Sequence, residues 1–501
     1  MHGSDLRTDE ASATGGPSPY GSWETIPWDR VRGHVSRLQT EIANATTEGR
    51  TEDARKAQRM LTHSLDAKLL AVRTVTTGRG RHTPGVDGVT WDTPEAKLAA
   101  AKSLANKGYR AKPLRRVRIP KRGKPGQTRP LGIPTMHDRA MQALHALALD
   151  PVAEATADRY SFGFRTGRCA QDACQKLFGL LSQRVSPQWV LEGDIKGCFD
   201  NISHEWLMEN VPMDKAVMAQ FLKAGFMEQG GWHETESGTP QGGVISPIYC
   251  NLALDGMERL LDERFMLTPS GNRARRADRN KVHVVRYADD FVVTAATPEV
   301  AEEAKSLLVP FLAERGLGLS REKTLTTHMD EGFDFLSWNF RKYGGKLIIK
   351  PSKGAVKAFQ RETHRVILAE GKCAGPDELI ATLTPMIRGF AAYHRHTCCS
   401  ETFSGIADVM FRQLWRWACR RHPNKSRTWV ARRYWRQVGT SGWVFGSQDG
   451  YLAPITCQHV VRHLPLRTDV NPYLDSKYFV TRRHALKTRA AKSFRMPAPP
   501  Q

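Results

Sequence analysis

Several things are scarce in this chain of 501 residues, and each scarcity removes a class of protein. No run of roughly eighteen or more uncharged apolar residues occurs anywhere, which excludes a membrane-spanning helix. The opening, MHGSDLRTDEASATGGPSPYGS, has no apolar segment of the signal-peptide kind, so residues 1–22 are expected to be a disordered lead-in. Nine cysteines are scattered with no Cys-x-x-Cys pair and one adjacent pair, Cys398 and Cys399. That spacing fits neither a disulfide framework nor a zinc ribbon, and it points to a reduced, cytoplasmic protein. The Gly-rich connector Thr76–Trp91 lacks the spacing of a dinucleotide or P-loop fingerprint, and no internal repeat is found.

What is present is apolar content and positive charge. Apolar residues are 40% of the chain, enough to exclude wholesale disorder, and the length predicts about three domains. Lys and Arg number 74 against 51 Asp and Glu, a formal net charge of +23. Such an excess speaks to partners, and nucleic acid is the common polyanion of a cytosol. The excess is also clustered. From Glu401 to Gln501 there are 18 basic residues against 5 acids, and Arg110–Arg129 holds nine basic residues and no acid. Clustered cations are what phosphate tracking requires.

Apolar spacing of three and four predicts two helices over Trp28–Val75, broken near Thr47–Gly49, and further helices over Thr93–Lys107 and His137–Thr156. Arg115–Thr135 reads as a basic β-hairpin. Trp189–Ile195 reads as a short strand carrying an acid at its end, and His283–Thr294 as a hairpin tipped by Asp289–Asp290. A Gly/Pro loop from Gly238 leads into an amphipathic helix; a helix near Glu299–Arg315 and strands over Phe333–Arg341 and Lys346–Ile349 follow. After Pro351 the pattern is helical, with basic and aromatic residues interleaved over Pro376–His396, Phe403–Arg421 and Arg427–Arg436. From Trp443 onward it is basic, Pro-punctuated and weakly periodic, with little core.

An Asp-Asp pair alone is an ordinary turn feature. Here it tips a hairpin of apolar strands, and Asp194 ends another strand. Rigid strand ends let three carboxylates converge, and hard oxygen ligands suit Mg²⁺. Two such ions about 3.5–4 Å apart activate an attacking hydroxyl and stabilise a leaving pyrophosphate. By contrast HRHTCC (His394–Cys399) and CQHVVRH (Cys457–His463) each lack a second half of a metal motif, and a structural role is expected for both.

The motifs in order resemble the reverse transcriptases of bacterial group II introns. They are RIPKRGKPGQTRPLGIPT (Arg118–Thr135), SFGFRTGRCAQDA (Ser161–Ala173), GDIKGCFDNI (Gly193–Ile202), GTPQGGVISP (Gly238–Pro247), YADD (Tyr287–Asp290) and GLSREKT (Gly318–Thr324). LTPMIRGFAAYHRH (Leu383–His396) and LWRWACRRHP (Leu414–Pro423) are similar to the maturase domain X of that family. The resemblance implies catalytic and metal-binding roles for Asp194, Asp289 and Asp290. It places Arg115, Lys121 and Arg129 on the incoming triphosphate, and Phe199 against its sugar, where the alternative is plain core. Gln241, Gly242 and Gly243 would form the loop beneath nucleotide and primer end. Many relatives end in an HNH endonuclease with paired Cys motifs; none is seen before Gln501, so second-strand cleavage is not expected of this chain.

The resulting expectation is an α+β right-hand polymerase with a helical thumb and a small basic C-terminal region. Its parts would be the lead-in 1–22, N-terminal extension and fingers 23–188, palm 189–350, thumb or domain X 351–438, and a DNA-binding region 439–501. The tail cations Arg462, Arg467, Arg482, Arg483 and Lys487 are assigned to target DNA, and tail removal is expected to spare RNA binding and extension. The expected function is RNA-templated DNA synthesis from dNTPs with two Mg²⁺, joined to binding of the intron RNA, splicing assistance and target-primed retrohoming. No membrane is involved; the place of action is the bacterial cytoplasm, in a nucleoid-associated ribonucleoprotein. The rivals are a splicing-only maturase and a reverse transcriptase recruited to defence or CRISPR adaptation. A pure scaffold has no need of three mutually repelling carboxylates.

Overall fold

The computed structural model describes residues 20–120, 126–268, 270–274, 276–437 and 443–494. Its strands are β1 (Leu114–Pro120), β2 (Thr128–Ile133), β3 (Trp189–Asp194), β4 (Phe226–Glu228), β5 (Gly231–His233), β6 (His283–Tyr287) and β7 (Asp290–Ala295). They continue with β8 (Leu325–His328), β9 (Phe333–Phe335), β10 (Trp338–Tyr343), β11 (Lys346–Pro351), β12 (Trp435–Gln437) and β13 (Trp443–Phe445). Helices fill the space between them.

The N-terminal region forms three helices, not two: Trp28–Thr47, Thr51–His63 and Leu65–Thr77. The extra break falls at Ser64, whose extended backbone closes one helix through its N–H and opens the next through its carbonyl. The helix after the Gly-rich connector spans Pro94–Ser103, shorter than its apolar pattern suggests, and the Thr93 hydroxyl caps it. These helices bury Val31, Val35, Ile42, Leu61 and Leu69 around the long helix Met136–Thr156, in a core continuous with the helices behind the central sheet.

That central sheet has the order β6-β7-β3-β8 and is antiparallel throughout. Val190, Leu191, Val284, Val285, Val292 and Val293 are fully or almost fully buried, as a sheet covered on both faces demands. Gly193 lies opposite Phe291, and a side chain there would run into the ring, so glycine fixes how closely the strands pair. The basic hairpin forms as expected: β1 and β2 pair over six residues in a second sheet, β2-β1-β4-β5.

Phe333–Arg341 is not one strand. The chain reverses at Leu336 and Ser337, both at positive φ (+49° and +71°), so β9 and β10 form a hairpin on which β11 adds. Trp338 stacks on Tyr393 at 4.6 Å, and the Tyr393 hydroxyl donates to the Leu336 carbonyl at 3.0 Å. These contacts seat the helical region, whose first helix, Lys353–His364, lies in the stretch read as helical after Pro351, ahead of the three helices delimited there. Helices Pro376–His394, Ser400–Arg421 and Arg427–Tyr434 complete it around Leu383, Phe403, Ile406, Leu414 and Trp417.

The basic tail departs most from expectation. A helix forms over Ser476–Ala491, and it and the segment before it pack against residues early in the sequence. Phe479 fills the space a side chain at Gly167 would need, the Tyr473 hydroxyl donates to Asp150, and Thr40 donates to the Tyr473 carbonyl at 3.1 Å. Arg482 was assigned to DNA; it is buried, ion-paired to Asp172, and its guanidinium is not on offer to a phosphate. His463 joins the same carboxylate at 2.7 Å. Cys169, Asp172 and His463 are the one trio among the described residues whose ligand atoms all lie within 4.8 Å. Arg482 already supplies their compensating cation, so the trio is a structural clasp. Arg462, Arg467, Arg483 and Lys487 remain exposed, with Arg467 paired to Asp469.

Breaking a buried ion pair strands the surviving charge, at a cost of about 3–5 kcal/mol. Asp172→Ala should therefore lower the unfolding midpoint markedly, and so should deletion of residues 476–501. Thermal melts of the three proteins measure this; unchanged midpoints would mean that the tail is an appendage.

Candidate active site

The edge between β3 and β7 brings the expected acids together. Asp194, last in β3, lies directly opposite Asp290, first in β7, and Asp289 precedes it in the tight turn from β6. The turn has two residues, Ala288 and Asp289. Ala288 is at φ +58°, a conformation usually left to glycine. Sequence reasoning gave Lys323 no role, although its motif was noted. Its Nζ donates to both Asp194 oxygens, at 3.0 and 2.9 Å. The loop that carries it is tied down where Ser320 N–H donates to the Asp194 carbonyl at 2.8 Å and Lys196 N–H to the Gly318 carbonyl at 2.9 Å.

The electrostatics follow from crowding. The packed strand ends, then the charges of Asp289 and Asp194, push the Asp290 carboxyl up to about 6; its open solvent face tempers the effect. Burial raises Asp289 as well, with Asp194 adding to it, while Arg129 and Lys323 pull it back. The bond to Asp194 in turn holds Lys323 above the ordinary ammonium value. Hard carboxylate oxygens on rigid strand ends, short of positive charge, make a donor set suited to a divalent cation.

The residues expected to contact the nucleotide have separate surroundings. Arg129 is exposed on β2, near enough for its charge to act on Asp289. Arg115 is half-buried and donates from Nε to the Pro84 carbonyl at 3.0 Å, tying the Gly-rich connector to the hairpin. Lys121 lies outside the described residues. Phe199 is half-buried in the short helix Cys198–Asn201, edge-on to Phe164 with ring centroids 6.0 Å apart. Phe164, which sequence reasoning passed over, is 51% exposed and at φ +61°. Gln241 donates to the Asp200 carboxylate at 3.2 and 3.1 Å, and its carbonyl accepts from Gly132 N–H on β2 at 2.9 Å. At Gly242, φ is +110° and a side chain would meet Leu131 and the Gly132 carbonyl, so glycine lets this loop lie against the hairpin. Gly243 is buried beside Ser246.

Comparison with known proteins gives matches along most of the chain. Residues 119–340 match the family "Reverse transcriptase (RNA-dependent DNA polymerase)". Residues 23–104 match "N-terminal domain of reverse transcriptase", and residues 356–435 match "Group II intron, maturase-specific domain". Protein YkfC of Escherichia coli (strain K12) is 32% identical over 356 residues, covering 64% of this chain and 90% of YkfC. Group II intron-encoded protein LtrA of Lactococcus lactis subsp. cremoris is 30% identical over 359 residues, 58% of this chain and 59% of LtrA. The putative COX1/OXI3 intron 1 protein of Saccharomyces cerevisiae is 26% identical over 311 residues, 53% of this chain and 37% of that protein. The chain thus spans almost all of the first relative and under two thirds of the other two.

The raised Asp290 carboxyl has a consequence for stability. A carboxyl that holds its proton up to about 6 when folded, against 3.8 ordinarily, favours the folded state below about pH 4. That advantage is lost as pH rises through about 6. In chelator-treated protein, Asp290→Asn should melt above wild type at about pH 7.5 and level with it near pH 4. Equal melting temperatures at both pH values would show that the carboxylates do not burden the folded chain.

Proposed function

The chain belongs to the family of group II intron reverse transcriptases with a maturase domain, and on that premise we propose how its residues do the work. It is an RNA-directed DNA polymerase with a splicing maturase function, and it binds RNA. The observation that carries the catalytic reading is the register of β3 and β7, with Asp194 facing Asp290, Asp289 beside them and Lys323 bonded to Asp194.

In this reading Asp194 and Asp289 would hold two Mg²⁺ ions, while Asp290 adds negative charge and fixes the turn. When bound, the metals supply Lewis acidity for attack by a primer 3′-hydroxyl and departure of pyrophosphate. Arg129, with Arg115 on the same hairpin and with Lys121, orients the triphosphate of a dNTP by charge. The Gln241–Gly243 loop, braced on Asp200 and on β2, floors the nucleotide site, and the Phe199 ring limits the room beside its sugar. Lys323 offsets the negative charge of Asp194 and keeps that carboxylate oriented. A scaffold-only maturase would have no use for this arrangement, since three close carboxylates cost stability unless they hold cations.

The partners are proposed from the charge map. Intron RNA lies along the basic hairpin and the helical thumb. Target DNA meets the exposed tail cations Arg462, Arg467, Arg483 and Lys487, and its cleaved strand primes synthesis for retrohoming.

Primer extension on an RNA template tests the assignment. Asp289→Ala should cut the rate by at least about a hundredfold, while binding of structured intron RNA changes little. Extension by that variant at the wild-type rate would remove Asp289 from the chemistry. Phe199→Ala should raise ribonucleotide incorporation relative to deoxynucleotide; if sugar discrimination stays as in wild type, the ring is merely core.

A further inference from the structure

Beneath the catalytic turn lies a buried guanidinium with no role in the chemistry described so far. Arg286 sits in β6, three residues before Asp289, and is 1% exposed. An arginine inside an apolar strand is costly to desolvate and is kept where its fork has fixed partners. This one has three. Nη2 pairs with Asp255, and Nη1 donates to the Asn251 side-chain oxygen at 3.1 Å and to the Ala288 carbonyl at 3.3 Å.

The last contact links it to the turn. Ala288 is the residue at φ +58°, a conformation that is strained for an alanine and persists only when its surroundings impose it. Two neighbours help to impose it. Gly163 lies so close that a side chain there would strike the Ala288 backbone nitrogen, and Asn251 Nδ2 holds the Gly163 carbonyl at 3.0 Å. The Arg286 backbone is itself pinned, donating to the Tyr160 carbonyl and accepting from Phe162 N–H, each at 2.9 Å. Asn251 therefore touches both the arginine and the segment at Gly163 that presses on the turn.

Resting on the catalytic role proposed for Asp289, we propose that Arg286, locked by Asp255 and Asn251, is a positioning residue that holds the Ala288–Asp289 turn so that the Asp289 carboxylate faces Asp194. The planar fork matters as well as the charge, because one guanidinium spans three acceptors in different directions. A lysine keeps the charge and loses the span.

The test is single-turnover primer extension by Arg286→Lys, beside wild type and Asp289→Ala, on an RNA template over a range of Mg²⁺ and dNTP concentrations. A misplaced metal ligand should lower the maximal rate about ten- to a hundredfold and raise the Mg²⁺ needed for half-maximal rate. The dNTP concentration for half-maximal rate and the affinity for RNA should stay within about threefold. A merely structural arginine would reduce the number of active molecules and leave the Mg²⁺ dependence of the remainder unchanged; that result overturns the proposal, as does a wild-type rate. Should Arg286→Lys not fold, Asn251→Ser removes one acceptor only and is read by the same criteria. If Asp289→Ala extends as well as wild type, the catalytic assignment itself has failed, an outcome distinct from failure of Arg286.

Discussion

Everything about this molecule's centre follows from one electrostatic constraint: three carboxylates must stand together at the end of a sheet although each repels the others. Asp194 and Asp290 are cross-strand partners, and Asp289 is next in the chain, so no side-chain rotation can separate all three widely. The backbone has to bear the repulsion. It does so with strands buried on both faces, a glycine at 193 that lets β3 and β7 close over Phe291, and a lysine drawn onto Asp194. The raised carboxyls of Asp289 and Asp290 record their burial first and, after it, the part of the repulsion that is left over.

The same logic extends downward from the tip. The segment 158–168 carries two arginines kept from solvent: Arg165 makes a two-pronged pair with Glu154, and Arg168 shares that acid. Arg165 also donates to the carbonyls of Asp158 and Ser161, which stiffens the stretch lying against the catalytic hairpin. Apolar residues of equal volume could be as stable here, but hydrogen-bonded arginines fix direction as well as contact. A polymerase edge needs direction.

How much of this was legible in the sequence depends on the range of the interaction. The acids, the basic hairpin and most helices declared themselves, because strand alternation, Gly/Pro turns and apolar spacing are local signals. The break at Ser64 and the reversal at Leu336–Ser337 did not. No glycine, proline or asparagine marks the second, and tertiary contacts through Tyr393 hold it. Lys323 could have been suspected only by knowing that its loop returns to β3. Arg482 was misassigned for the same reason. In sequence it is one cation among many, and its partner Asp172 lies 310 residues away. Counting charges finds a basic segment; it does not say which charge has turned inward.

That separation of 310 residues matters for how the protein is made. Ribosomes deliver the chain from its N-terminus, and early regions begin to fold while later ones are still being translated. The helix that begins at Ala170 therefore emerges with Asp172 at its first turn and waits through the synthesis of the sheet and thumb before Arg482 and His463 arrive. Until then Asp150 lacks its tyrosine and the hollow beside Gly167 lacks its phenylalanine. A nascent chain stalled in the thumb thus carries an open seam beside its catalytic half, exposed to chaperones and proteases. The finished helix closes that seam, so the packing beside the catalytic half is completed only when a stretch translated long after it has folded into place.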